Sequence, residues 1–221
     1  MESELEPRQA RSKRTQESLL DALETLLQQR FFEQITIQEI AEQAGVAVGT
    51  VYRRFRNKEA LLPALYRRLD RKMAEWADAV LGNGQPPDRM SLYAAIHHLV
   101  HAHVRFYRDN APILRTLYLN VRLDGELADP AVARRRRSLY QKLLEPVWTA
   151  LSDDGLPEPG PDQIRCFVLL LLSPVNERCL FPDNTPASTL RMSNRRFVDE
   201  LSKALCCYLS APASPSRACA S

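Results

Sequence analysis

Residues 36–61, TIQEIAEQAGVAVGTVYRRFRNKEAL, decide how this chain folds. Thr36-x-x-Glu39 has the spacing of a capping box, in which each side chain bonds the other residue's backbone N–H and so opens a helix. Ile37, Ile40, Ala41 and Ala44 follow as an apolar stripe at helical spacing, and Ala41 is small enough to let a second helix cross closely. Gly45 stands where a tight turn needs a positive φ, which a β-carbon opposes. Val46 is expected to face inward. A second short helix runs from about Ala47 to Arg53, with Val51 and Phe55 turned to the core and Ala47, Val48, Gly49, Thr50 and Tyr52 on or near the open face. Helix, glycine turn, helix and a basic, aromatic exit make the outline of a helix-turn-helix.

The chemistry of the open face suits a duplex. Its residues are small or apolar apart from Thr50 and Tyr52, so backbone can approach base edges, apolar groups can meet a thymine methyl, and hydroxyls can bond a base or a phosphate. Arg53, Arg54, Arg56 and Lys58 place positive charge at the end of the second helix, spaced to meet phosphates on either side of a groove. Asn57 is expected to cap the next helix, whose first N–H groups form an anion site beside Lys58. An Ala-Gly turn between short helices also occurs in hairpins that touch no nucleic acid. The combination of Thr36, Gly45, Tyr52, Phe55 and Lys58 favours DNA over that reading.

On these residues the segment resembles the N-terminal domain of the TetR family of bacterial transcriptional regulators. The family pattern is met by Thr36, Ile40-Ala41, Ala44-Gly45-Val46, Gly49, Tyr52, Phe55, and Lys58 with Leu61. The resemblance implies that Thr36, Tyr52 and Lys58 grip phosphates and that Val48, Gly49 and Thr50 contact bases. Gln38, Ala47, Arg53 and Arg54 complete the expected DNA-binding set. Position 54, often His in the family, is Arg here, which keeps a phosphate contact and makes it permanently charged. The likeness covers residues 14–66. Beyond them only the all-helical pattern and the length agree with the family.

The fold expected is all-α: an N-terminal three-helix helix-turn-helix DNA-binding domain and a C-terminal helical domain for ligand binding and dimerisation. A length of 221 residues, seven glycines and 45% hydrophobic residues fit one small and one medium helical domain with a real core. The formal net charge of +3 would not by itself identify a DNA binder; the clustering of cations at the head does. The acidic start MESELEP has no signal-peptide run, and the longest apolar stretch, Cys166 to Leu172, is too short to span a bilayer, so a cytoplasmic protein is expected. Cys166, Cys179, Cys206, Cys207 and Cys219 show no CxxC spacing and read as reduced thiols, inert packing being favoured over a redox switch at Cys206-Cys207.

The chain divides into a flexible arm (1–13), the DNA-binding domain (14–66), the effector-binding and dimerisation domain (67–210) and a disordered tail, APASPSRACAS (211–221). The arm carries Arg8, Arg11 and Lys13 and could reach a minor groove, although a solvated terminus is the simpler reading. Helices are expected at about 14–29, carrying Leu19, Leu20, Leu23 and Leu27 on one face, and at 58–81, linking the domains. A break at Gly82–Pro87 follows, then helices at 89–109, 111–121, 130–152, 162–181 and 188–210. Asp129-Pro130 and Gly160-Pro161-Asp162 are start signals, and Pro146 and Pro174 should kink or interrupt their helices.

Tyr93, Ile96, Leu99, His103 and Phe106 share a face of the helix at 89–109. His103 is the polar intruder there, either a hydrogen-bonding partner for a small molecule or a core histidine satisfied by a carbonyl. The expected effector site comprises His103, Ile96, Leu99, Phe106, Tyr107, Leu117, Tyr118, Val121 and Trp148, core packing being the alternative. The apolar stripes of the last two helices suit a homodimer, which the resemblance implies is a four-helix bundle. The expected interface is Phe167, Leu170, Leu171, Leu201, Leu205 and Tyr208, with filling of a monomer core as the alternative. His97, His98, His101 and His103 lack a completing carboxylate or cysteine, so a surface histidine face is preferred to a metal site. Arg134–Arg137 reads as a solvated face, with Arg136 able to turn inward towards an anionic ligand.

No catalytic constellation, cofactor, metal or membrane partner is expected. The partners expected are double-stranded DNA bearing a palindromic operator, a second copy of the chain, and an unidentified small-molecule effector whose binding moves the helix at 58–81. The function read is a ligand-responsive repressor. The alternative is a DNA-bound protein whose second domain recruits another protein instead of a metabolite.

Overall fold

The computed structural model of the chain describes residues 8–82, 90–123, 130–182 and 192–211. The start of the arm (1–7), the break beyond Gly82, Asp129, Cys219 and the tail after Ala211 lie outside the described residues. Among the described residues the fold is all-α. Its helices are α1 (Arg8–Leu27), α2 (Ile37–Gln43), α3 (Val48–Tyr52), α4 (Leu61–Val80), α5 (Leu92–Asp109), α6 (Ala111–Leu123), α7 (Pro130–Asp153), α8 (Pro161–Leu180) and α9 (Asn194–Ser210). The chain falls into two compact units, Met1–Met73 with Pro112–Val132 and Ala74–Ala111 with Ala133–Ser221, the first boundary falling inside α4.

The first unit is nucleated locally. Thr36 caps α2 as a complete capping box: Thr36 Oγ1 accepts from Glu39 N–H at 3.2 Å, and Glu39 Oε2 accepts from Thr36 N–H at 2.8 Å. At the far end Gly45 takes φ 66°, and two bonds (Gly45 N–H to Glu42 O, 3.0 Å; Val46 N–H to Ala41 O, 2.9 Å) close a Schellman turn that satisfies the last carbonyls. Leu19, Leu20, Leu23 and Leu27 of α1, Ile40 and Ala41 of α2, Val51 of α3 and Leu61 and Leu65 of α4 are all buried. Each such Leu, Ile or Val side chain removed from water stabilises the fold by about 1.5–3 kcal/mol before conformational entropy is charged against it.

The sequence reading is corrected at several places. Arg8–Lys13, expected to be part of a flexible arm, forms the first turns of α1. A short 3-10 turn, Phe32–Gln34, was not foreseen; it buries Phe32 and is followed by buried Ile35. Pro146 and Pro174 interrupt neither α7 nor α8, which run through them, although each removes one backbone N–H donor. Val46, expected to face inward, is half-buried.

A charge clamp also holds α1 to the first half of α4. Glu17, Asp21 and Glu24 recur at helical spacing and meet Arg68, Arg71 and Lys72, with Lys72 Nζ to Glu24 Oε2 at 2.8 Å, Arg68 Nε to Glu24 Oε1 at 3.0 Å, and Arg68 also bonded to Asp21. In the second unit α5 packs on α8 and α9. Its start is fixed twice: Ser91 Oγ accepts from Ala94 N–H at 3.3 Å, and Asp154 Oδ2 accepts from Leu92 N–H at 3.1 Å.

Candidate functional site

The capping box and the glycine turn set α3 across α2 so that only Val51 points into the unit. Ala47, Val48, Gly49 and Tyr52 are exposed, Val48 by 37% and Tyr52 by 56%, and Thr50 is half-buried. A β-carbon built on Gly49 would have no atom within 4 Å, and its φ is not in the left-handed region, so no internal contact and no backbone strain asks for glycine there. Val48 and Tyr52 are therefore large exposed side chains beside a glycine that nothing inside the unit requires.

The cations around this face are not equivalent. Arg53 Nη2 donates to Thr50 Oγ1 at 3.0 Å, which draws that guanidinium along the face. Arg54, half-buried, donates from Nη1 to Ser12 Oγ at 2.8 Å and ties α1 to the exit of α3. Arg56 is exposed. Lys58, implied by the resemblance to grip a phosphate, is used inside the unit: its ammonium donates to Phe32 O at 3.1 Å and Glu33 O at 3.2 Å and lies 4.8 Å from the centre of the Phe32 ring. An ammonium has three donors, so one remains for a phosphate. Thr36 is similarly committed, since its hydroxyl accepts from Glu39 N–H and donates to Glu39 Oε2 at 2.9 Å. Glu39 is held down to a pKa of about 2, first by Arg30, whose Nη1 donates to its Oε1 at 2.6 Å, and then by Thr36. Gln38 is exposed on α2. As expected, Asn57 Oδ1 accepts from Ala60 N–H at 3.0 Å at the turn leading into α4.

The residues expected at the effector site are divided by the fold. His103, Ile96, Phe106 and Tyr107 are buried side by side in the second unit, as core. His103 Nδ1–H donates to Leu99 O at 2.8 Å, Trp76 meets the ring edge-on at 4.8 Å, and Tyr140 stacks on it at 5.8 Å. Burial lowers its pKa to about 4, so the ring is neutral at pH 7. The Tyr140 phenol, in contact with Tyr107, is pushed well above its ordinary value, first by burial. Trp148 packs on Phe167 with ring centres 5.7 Å apart. Leu117, Tyr118 and Val121 belong to the first unit, where Arg122 Nη2 donates to Tyr118 Oη at 2.6 Å.

A cavity of about 230 Å³ in the second unit takes in Leu99 but none of the other expected residues. It is lined by Val80, Leu81, Met90, Ala95, Leu143 and Val147, with His98 and Pro146 at its wall. Leu99 is the expected residue that reaches it; from the sequence Pro146 reads only as a helix kink. Among the expected dimer residues, Phe167, Leu171 and Leu205 lie in the core of the unit, Leu201 and Tyr208 are half-buried, and Leu170 is 42% exposed beside Leu169 at 63%. The described cysteines are free thiols, and burial raises Cys179 to about 11. Among the described residues no helix is long and apolar enough to cross a membrane.

Comparison with known proteins bears on this geometry. Residues 19–65 match the family described as bacterial regulatory proteins, tetR family. The chain is 32% identical over 99 residues to the HTH-type transcriptional repressor KstR2 of Mycobacterium tuberculosis, covering 42% of this chain and 49% of that protein. It is 37% identical over 91 residues to the HTH-type transcriptional repressor KstR of Mycolicibacterium smegmatis, covering 41% and 44%. The matches thus span about half the length of these relatives. In fold the chain is similar to a TetR-family regulator from Rhodococcus sp. (TM-score 0.62, 14% identity, 90% of this chain and all of that one). It is likewise similar to LfrR of Mycobacterium smegmatis in complex with proflavine (TM-score 0.54, 22% identity, 87% and 94%).

Proposed function

We propose that the chain, whose residues 19–65 match the tetR family and whose fold is similar to that of TetR-family regulators, is a homodimeric repressor that binds a palindromic operator and releases it on taking up a small molecule. The observation that carries this reading is the face Ala47-Val48-Gly49-Tyr52, exposed around a glycine that has no internal use, with half-buried Thr50 bonded to Arg53 and Arg56 beside it. Small side chains at the start of α3 let its backbone approach base edges, while the arginines anchor the flanking phosphates and carry no sequence information themselves. Thr36 and Lys58 position more than they bind: both donors of Thr36 go to Glu39 Oε2, and Lys58, held by two backbone carbonyls, keeps one donor for phosphate.

One such head contacts few base pairs, so useful specificity comes from two heads on a two-fold operator. Leu169 and Leu170 of α8, with Leu201 and Tyr208 of α9, supply the apolar surface for pairing with a second copy. The effector site is the 230 Å³ cavity. Its aliphatic lining selects a small, largely apolar molecule, and His98 supplies a polar handle. The end of α4 forms part of that wall, and α4 runs as one helix from Leu61, just after the cap of the DNA-binding segment, to Val80. A ligand that binds better to a shifted α4 therefore draws the population away from the DNA-binding arrangement. The named repressor relatives favour a repressor, and the proflavine complex of LfrR favours a small-molecule effector.

Selecting bound fragments from random duplex DNA with the purified protein tests the reading. An inverted repeat with half-sites about one helical turn apart is expected. Failure to retain any duplex at low salt would remove it. Filling the cavity with Ala95→Leu should leave operator binding in place and abolish release by apolar compounds.

A further inference from the structure

We propose that the second unit carries another ligand site, a cationic groove between α5 and α9 that takes a phosphoryl anion. The groove encloses about 550 Å³, within the range of small-molecule sites, and is made by His97, His101, Arg105 and Arg108 of α5 facing Arg195 and Asp199 of α9. Buried Val104 and Val198 form its floor. Three guanidiniums therefore meet two carboxylates, the second being Asp109.

Those carboxylates are already engaged. Asp109 lies 3.8 Å from Arg105, and Asp199 accepts from His97 Nε2 at 3.1 Å. Among the described residues neither Arg108 nor Arg195 forms an ion pair, and both are exposed along the groove. Two uncommitted planar donor forks in one concavity match the oxygens of a phosphoryl group, which accepts parallel N–H bonds from each. The valine floor gives an attached organic body somewhere to rest. The site is distinct in chemistry from the aliphatic cavity and in place from α3, so it stands independently of the DNA-binding reading.

The test is calorimetric titration of the full-length protein with pyrophosphate and, separately, with AMP. Saturable binding at one site per chain is expected, and R108Q/R195Q should weaken it by about tenfold or more with helix content unchanged. R108K/R195K, which keeps the charge and loses the forks, should fall between. R53Q/R56Q, which strips exposed cations from the DNA face, should alter it by less than about twofold. The proposal is overturned if neither probe binds saturably up to millimolar concentration, if R108Q/R195Q binds as the native protein does, if R53Q/R56Q loses the binding instead, or if citrate binds more tightly than both phosphoryl probes.

Discussion

The face of α3 and the stripe of α5 were both singled out by spacing, yet the fold uses them in opposite ways. On α3 the small and apolar residues stay outside, because Val51 alone satisfies the core and the capping box and glycine turn dictate the helix's orientation. On α5 the residues expected to greet a ligand, His103, Ile96, Phe106 and Tyr107, are spent on packing, and the cavity opens beside Leu99 instead. The difference teaches that an exposed apolar residue without an internal task points to a partner. An apolar stripe at helical spacing does not, since core and pocket have the same periodicity.

The contrast breaks most sharply at α8. Phe167→Ala should destabilise the chain by about 3–5 kcal/mol, because it empties a fully enclosed site, whereas Leu170→Ala should cost less than about 0.5 kcal/mol. Denaturant unfolding at fixed protein concentration reads the first, and sedimentation, where only the Leu170 change weakens self-association, reads the second. Equal stability losses would mean that Leu170 also belongs to the core.

At α3 the expected effect is on binding. Gly49→Ala should leave stability unchanged or raise it by about 0.5–1 kcal/mol, since helix interiors disfavour glycine and the space is open. The same change should weaken operator binding by about 1–3 kcal/mol if backbone there lies against base edges. Native affinity in gel-shift titration would mean that this face is not what meets DNA.

His103 sharpens the other side of the comparison. Its folded pKa of about 4 lies below the unfolded value of about 6.5. Between those values the unfolded chain takes up a proton that the folded one refuses, so stability falls as pH is lowered. The loss from pH 7 to pH 5 is about 2 kcal/mol. His103→Phe should abolish that part of the pH dependence while leaving operator affinity at pH 7 unchanged; melting curves of the two proteins at both pH values measure it. An unchanged slope would show that His103 is not held neutral in the core.

The smallest effect is expected at Thr36. Thr36→Ala should cost about 1 kcal/mol through loss of the cap and leave the salt dependence of DNA binding nearly intact, with Thr36→Ser retaining most of the stability. A drop in operator affinity at fixed salt that Thr36→Ser restores would show that the hydroxyl reaches a phosphate after all.

What the sequence determined by itself was the head. Thr36 and Glu39, Gly45 and Val46, and Asn57 and Ala60 act across a few residues, so their backbone bonds follow from spacing alone. The helices of the second unit were legible for the same reason, as local periodicity. Tertiary structure decided where side chains went once segments far apart in the chain met. Lys58 turned to the carbonyls of Phe32 and Glu33, Arg115 donated to Leu27 O at 3.3 Å to finish α1, and Arg68 found the acidic stripe of Glu17, Asp21 and Glu24. It also chose which apolar residues became cavity and set Arg195 across from Arg108. Short-range geometry is written in neighbouring residues, but burial and long-range charge pairing depend on which surfaces the packed helices bring together.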